Sequence, residues 1–241
     1  MCIRDRKKKE LFDGALIEQR IAFKFSRPFR VYLRYIEPHP GREVLYVRGK
    51  NKNRLRAHRG SKLGVTVSLN PRGRWAMAEG HHPVTEFGIE HMLELAARDI
   101  RNAINRGEGT VRLSDGGAVN AEPTWRIDLG SPPARRKVTA RRDETLWDIA
   151  ARTEQDMYVI LHHKESIDSP RDVRTGQEVF VPRYYAGRGQ YFISKRTHML
   201  IKLVIWDHEG ALYESYEYPE LELNPGFDAR DFDYRNEEYG F

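Results

Sequence analysis

The chain has 241 residues, of which 41 are Lys or Arg and 35 Asp or Glu, giving a formal net charge of +6. That length allows one large domain or two small ones with a real core, and 32% charged with 11% aromatic residues excludes a disordered chain. A single cysteine, Cys2, excludes an intrachain disulfide and any zinc or redox centre built from cysteines.

The opening Met1–Glu10 is strongly polar and has no apolar core of a signal peptide, so neither an export signal nor a membrane span is visible. Met1-Cys2-Ile3-Arg4-Asp5-Arg6 is similar to the spurious start of a truncated reading frame. The expectation is that the true N-terminus, and a signal sequence with it, is missing. The basic excess is spread along the chain and suits a solvated surface. Its densest run, Lys50–Lys62, carries no aromatic platform and reads as a hairpin edge, so no nucleic-acid partner is expected.

From Phe12 the pattern is strand and turn. Asp13-Gly14 turns into Ile17–Phe25, and Phe29, Val31, Leu33 and Tyr35 then alternate with Arg30, Tyr32 and Arg34. Further short strands are expected at Arg42–Arg48, Arg54–His58, Val65–Leu69 and Arg74–Ala78, the spacing of a meander. One long helix follows, with Thr85 as its N-cap and Gly107 as its stop. Ile89, Met92, Leu93, Ala96, Ile100, Ala103 and Ile104 recur at three- and four-residue steps and make its packing stripe; Arg98 and Asp99 fall outside it. Gly107–Gly117 reads as an irregular Gly-rich segment, before a strand through Trp125, Ile127 and Leu129.

Between the stiff break Gly130-Ser131-Pro132-Pro133 and Ala186-Gly187-Arg188-Gly189, the periodicity changes. Lys137–Ala140 alternates like a strand, Asp143–Ala150 and Asp156–His163 read as helices, and Gln177–Pro182 as a strand. That is a βααβ unit set into a β-rich chain, with Trp125–Leu129 and Tyr191–Ser194 resuming one sheet on either side. Strands at Met199–Trp206 and Ala211–Tyr218 follow, and the acidic, aromatic end Leu221–Phe241 is expected to pack irregularly on the sheet. Tyr184, Tyr185, Tyr213, Tyr216 and Tyr218 read as sheet and core residues.

The inserted unit resembles a LysM domain, a glycan-binding fold of cell-wall proteins. The resemblance is carried by Asp143-Glu144-Thr145-Leu146-Trp147-Asp148-Ile149-Ala150, by Tyr158-Val159-Ile160-Leu161, and by Gly176-Gln177 with Val179-Phe180-Val181-Pro182. It implies a groove for N-acetylglucosamine units of peptidoglycan between Asp143, Glu144 and Thr145 on one side and Ser166, Ile167 and Asp168 on the other. Two positions depart from that family's pattern: Asp143 stands for its usual glycine and His163 for its usual asparagine.

The remainder resembles the bacterial domain of unknown function 1571 family. The residues that carry this are Pro28–Tyr32, Gly41–Val47, His82–Ile89, Leu221–Phe227 and Asp231-Phe232-Asp233. That family is similar to the lipoprotein carriers of the LolA superfamily, which implies a periplasmic or cell-envelope protein whose hollow holds a lipid or lipoprotein acyl chain. The expected architecture is therefore α+β: a LolA-like curved antiparallel sheet, or incomplete β-barrel, over 11–130 plus 187–241, covered by one long helix. The LysM-like module occupies 136–183.

No chemistry-bearing motif contradicts a non-catalytic reading. There is no Gly-x-Ser-x-Gly elbow, no Walker loop and no dinucleotide fingerprint. The adjacent pairs His81-His82 and His162-His163 do not have metal-ligand spacing and read as surface or turn residues, so neither a metal nor any other cofactor is expected. Two alternatives stay open: an interaction protein whose LysM-like unit binds no glycan, and a cell-wall hydrolase, which would need a cleft with converging carboxylates.

Overall fold

The alternating strands assemble, in the computed structural model, into one open antiparallel sheet; residues 2–12, 14–60, 64–162, 167 and 169–241 are described. In chain order the strands are β1 (Cys2–Phe12), β2 (Ala15–Ser26), β3 (Arg30–Glu37), β4 (Glu43–Val47), β5 (Leu55–His58), β6 (Thr66–Leu69) and β7 (Thr110–Val119). They continue with β8 (Glu122–Gly130), β9 (Arg135–Thr139), β10 (Glu178–Pro182), β11 (Arg188–Ser194), β12 (Leu200–Trp206) and β13 (Leu212–Glu217). Eleven of them form the large sheet, in the order β6-β5-β4-β3-β2-β1-β13-β12-β11-β8-β7, with β6 and β7 as unjoined edges. β9 and β10 pair only with each other.

The polar opening is not peripheral. β1 lies between β2 and β13, so the sheet begins at Cys2 rather than at residue 11. Lys8 sits opposite Gln19 on one side and Tyr216 on the other, and Glu10 opposite Ile17 and Glu214. Arg6, Lys8 and Glu10 therefore point to the same face as Ile21, and all three are buried. A strand whose inward positions are charged has no apolar alternation, which is why its sequence does not read as a strand.

The helix α1 (Ile89–Arg106) packs on that face, its Ile89, Met92, Leu95 and Ala96 joining Ile21, Phe23, Leu33, Tyr191, Leu203 and Tyr216 in the main core. It starts later than expected. Thr85 lies in a short 3-10 turn, Val84–Glu86, and Gly88 at φ 125 redirects the chain into the helix, a backbone setting nearly confined to glycine. Gly107 ends it in the left-handed conformation. The packing stripe is also turned: Asp99 is buried, whereas Leu93 and Ile104 are exposed.

Two other local expectations fail. Arg74–Ala78 forms turns, and the Gly-rich stretch after Gly107 is strand β7, with a register shift between Asp115 and Gly117 that absorbs its glycines.

The inserted segment is observed as β9, α2 (Leu146–Thr153), α3 (Met157–His162) and β10. It leaves from β8 and returns to β11, and those two strands are direct neighbours, with Ile127 opposite Tyr191. Leu146, Ile149, Met157, Ile160, Val179 and Val181 make its own apolar cluster, while Val159 reaches into the main core. On the opposite face of the large sheet, Phe227, Phe232, Tyr239 and Phe241 cover Tyr32 and Leu45. No helix among the described residues is long and apolar enough to cross a membrane.

Candidate functional site

The register of β1 and β13 sets two carboxylates, Glu10 and Glu214, directly opposite each other on the helix-bearing face. Two like charges side by side in a dry sheet are untenable without cations between them. The segment between β6 and α1 supplies these. The backbone N–H of His81 donates to Glu10 Oε2 (2.9 Å), and its Nδ1 lies 2.7 Å from Glu214 Oε1. Its Nε2 lies 2.7 Å from the Leu11 carbonyl oxygen. Both ring partners can only accept, so both nitrogens carry protons and His81 is an imidazolium. Lys8 Nζ adds a 3.0 Å ion pair to Glu10, and the Tyr216 hydroxyl donates to the same carboxylate.

Burial works against every charge in this group, and the partners outweigh it. Despite desolvation, His81 is raised by its bond to Glu214 and by the negative charges nearby, and His82 is raised well above the usual histidine range by Glu214 and Asp156. Burial pushes Glu10 and Glu214 up, but Lys8 and His81 for the first, and His82 and His81 for the second, hold both below the carboxylate range.

His82 links this pair to a second cluster. Its Nε2 lies 3.0 Å from the Tyr185 hydroxyl and 3.2 Å from Glu214 Oε1, and its Nδ1 lies 3.5 Å from Asp156 Oδ2. Asp156 stands just ahead of α3, where its Oδ1 accepts from the N–H groups of Tyr158 (2.7 Å) and Val159 (3.2 Å). Glu86 and His91 complete the cluster, with Glu86 Oε2 3.9 Å from His91 Nε2. His82, Glu86, His91 and Asp156 each offer one ligand-type atom, and these atoms all lie within 4.8 Å of one another. His162, Asp207 and Glu209 make a second, more exposed group of the same kind. Burial, with the His82 cation beside it, lowers His91 to about 4, while burial and Asp156 raise Glu86.

Of these side chains, Lys8, Glu10, His82, Glu86 and Tyr216 line a cavity of about 780 Å³. Its walls are largely apolar: Ile21, Leu33, Val44 and Leu55 from the sheet, and Met92 from α1. Val65, Val67 and Trp75, which also line it, are exposed, Trp75 by 82%. Its polar lining also includes Arg6, Arg42, His58, Arg59 and Glu79. A site this size, apolar with a few converging polar groups, suits a small organic ligand with one polar end.

The residues expected to bind glycan lie elsewhere. Asp143 is exposed, with the Arg142 guanidinium 3.6 Å away as its ion-pair partner. Its φ of 58° is a left-handed setting that favours glycine. Glu144 is held by Arg152 at 2.7 Å and by the N–H of Arg141, in that order of influence, which lower it to about 2. Thr145 caps α2 in a reciprocal box with Asp148. Ile167 is buried in the unit's own core, and Ser166, Asp168 and His163 lie outside the described residues.

The histidine pair 81–82 was the signal that sequence reasoning undervalued: both are buried in the network, not at the surface. Their partners come from β1, β13, α1 and the start of α3, a convergence no spacing rule encodes.

Residues 5–179 match the family described as "Protein of unknown function (DUF1571)". The chain belongs to that family. The DUF1571 match takes in the first eight strands of the large sheet, α1 and the inserted unit as far as Val179. It ends before Leu221–Phe227 and Asp231–Asp233, which the sequence resemblance had included, and it runs through the unit that had been set apart from it. No curated protein matches.

Among solved structures, the chain is similar to the MucA/MucB complex of Pseudomonas aeruginosa at 12% identity and a TM-score of 0.40, over 95% of this chain and 56% of that one. A DUF1329 family protein of Desulfovibrio piger matches at 8% identity and a TM-score of 0.34, over 95% and 88%. A LolA superfamily protein of Nitrosomonas europaea matches at 8% and 0.31, over 96% and 89%.

Proposed function

We propose that this DUF1571 protein is a non-catalytic, LolA-like protein of the bacterial periplasm or cell envelope. In this reading it holds an acyl chain of a lipid or lipoprotein in the cavity between its sheet and the segment preceding α1. The observation that carries the reading is the cavity itself: a space of about 780 Å³ that joins apolar walls, among them the exposed Val65, Val67 and Trp75, to charged lining that includes Arg6 and Lys8. Arg6, whose Nε makes no hydrogen bond among the described residues, suits a carboxylate or phosphate head group, whereas Arg42 is already paired with Glu79 at 2.8 Å. The non-catalytic part is supported by the carboxylates that line the cavity being already tied: Glu10 to Lys8, Glu79 to Arg42 and His39, and Glu86 to Arg72.

The test is titration with a fluorescent fatty acid, read also through Trp75 emission. Saturable binding at low micromolar concentration is expected, weakened by Val65→Glu and Val67→Glu, which alter exposed positions and leave the core untouched. A wild-type chain that takes up no probe overturns the reading.

The inserted unit carries the finer part. As a LysM-like module it would tether the protein to peptidoglycan through Asp143, Glu144 and Thr145. Sedimentation with insoluble peptidoglycan tests this, using Asp143→Asn and Thr145→Ala; no pelleting above a control protein removes the tether. A second reading is favoured by Asp156, whose carboxylate faces His82 inside the sheet domain: the unit is a brace and binds no glycan.

A further inference from the structure

The cluster at His82 is built on a pattern that its ion pairs alone do not explain. Each of its members has one polar atom fixed from outside and one turned inward. Glu86 Oε1 accepts from Arg72 (3.2 Å), leaving Oε2 toward His91. Asp156 Oδ1 caps α3, leaving Oδ2 toward His82. His82 presents Nε2 to Glu214 and Tyr185, leaving Nδ1 toward Asp156. His82 Nδ1 and His91 Nε2 are both shielded from solvent and make no hydrogen bond among the described residues, although the His82 side chain is only 9% exposed. Each of these nitrogens faces a carboxylate oxygen at 3.5 or 3.9 Å, an ion-pair contact too long for a hydrogen bond, so the four groups converge without closing on one another.

We propose that His82, Glu86, His91 and Asp156 bind one divalent transition metal of the zinc class, which ties the inserted βααβ unit to α1 and to the segment that precedes it. Two imidazoles and two carboxylates form a four-coordinate donor set of intermediate softness, suited to zinc and its neighbours rather than to calcium or magnesium, which take oxygen ligands. Binding releases the proton that His82 carries when the site is empty, and the two carboxylates neutralise the dication that replaces it.

Tetrahedral bonds of about 2.0–2.2 Å place donor atoms roughly 3.4 Å apart, so inner atoms now within 4.8 Å close by side-chain rotation alone. Glu214, fully buried against His82 Nε2, is the outer carboxylate that fixes the tautomer and angle of a metal-bound histidine. Four protein donors, from the segment before α1, from α1 and from the start of α3, make this a structural site. The inference stands apart from acyl-chain binding, and either can fail without the other.

The test uses the full chain, freed of metal by a chelator and titrated with Zn²⁺ against a chromophoric competitor. One equivalent bound at submicromolar affinity is expected, and Co²⁺ in its place gives the visible absorption of a tetrahedral N/O site. His91→Gln and Asp156→Asn each weaken binding by about 100-fold or more, and Glu214→Gln by roughly 10-fold, the scale of losing an outer-shell partner.

Asn at 156 retains an oxygen to cap α3, and His91, at 22% exposed, is the least buried imidazole of the set, so these variants keep the fold. Circular dichroism without metal verifies that. His162→Gln, in the second group, leaves binding unchanged. Failure of the wild type to bind one equivalent, binding indifferent to His91→Gln and Asp156→Asn, or binding abolished by His162→Gln overturns the assignment.

Discussion

The two ends of the inserted unit are built on opposite principles. At the outer end, Asp143, Glu144 and Thr145 satisfy themselves within the unit, through Arg142, Arg152 and the α2 cap. At the inner end, Gln155 and Asp156 are buried and face the other domain: Arg98 of α1 donates to Gln155 Oε1 at 2.8 Å, and Asp156 meets His82. Local satisfaction costs little to remove and leaves a surface free for a partner. A buried network spanning the sheet, α1 and α3 holds elements together, because no member can leave without stranding a charge. The unit is thus bound to its host at one end, by these polar contacts and by Val159 in the main core, and presents its own chemistry at the other.

The sharpest way to break this contrast is at the centre of the inner network. Glu214→Ala leaves His81 and His82 buried as cations without their shared carboxylate, a loss of roughly 3–5 kcal/mol in urea unfolding. A loss below about 1 kcal/mol would show that the inner end is no anchor.

A second, smaller effect is read through pH. Burial pushes the Asp99 carboxyl up to about 6, and Arg98 and the N–H groups of Tyr185 and Ala186 offset it only in part. The Tyr191 ring is the other titratable group that feels its charge. Between the ordinary value of 3.8 and about 6 the folded chain binds more protons at this site than the unfolded one, so this contribution to stability falls as pH rises. At about 1.4 kcal/mol per unit, it falls by roughly 3 kcal/mol and is flat above the folded value. Asp99→Asn keeps the acceptor for Tyr185 N–H and removes the slope. Its stability difference from wild type, measured at pH 4 and pH 7, must grow in favour of the variant; an unchanged difference would place Asp99 in a wetter setting.

These sites also mark where the sequence stops being legible. Period-2 runs located β2 to β6, β8 and β11 to β13 because apolar and polar residues alternate along them, and that β8 and β11 belong to one sheet followed from the two breaks flanking the unit, while their direct pairing appears only in the fold. β1 escaped because its inward residues are Arg6, Lys8 and Glu10. Asp99 looked solvent-facing for the same reason, since its burial depends on backbone donors at Tyr185 and Ala186, far along the chain. The candidate site is almost wholly of this kind: Glu10, His81, His82, Glu86, His91, Asp156 and Glu214 come from six segments, and only the folded register brings them together.

At the outer end the effects shrink. Thr145→Ala removes the α2 capping box and lowers the thermal stability by about 1 kcal/mol, without altering uptake of a fatty-acid probe by the cavity. A parallel loss of probe binding would mean that the two ends are mechanically coupled.

Asp143→Asn is the smallest change: the side chain is exposed, and Asn tolerates the φ of 58°. Stability should move by less than about 0.5 kcal/mol. That silence makes it the clean probe of the outer surface. If pelleting with peptidoglycan falls while the melting curve stays in place, the lost interaction belongs to the side chain and not to the fold. If neither moves, Asp143 serves only to turn the chain into α2, and the unit's contribution lies entirely at the end that faces His82.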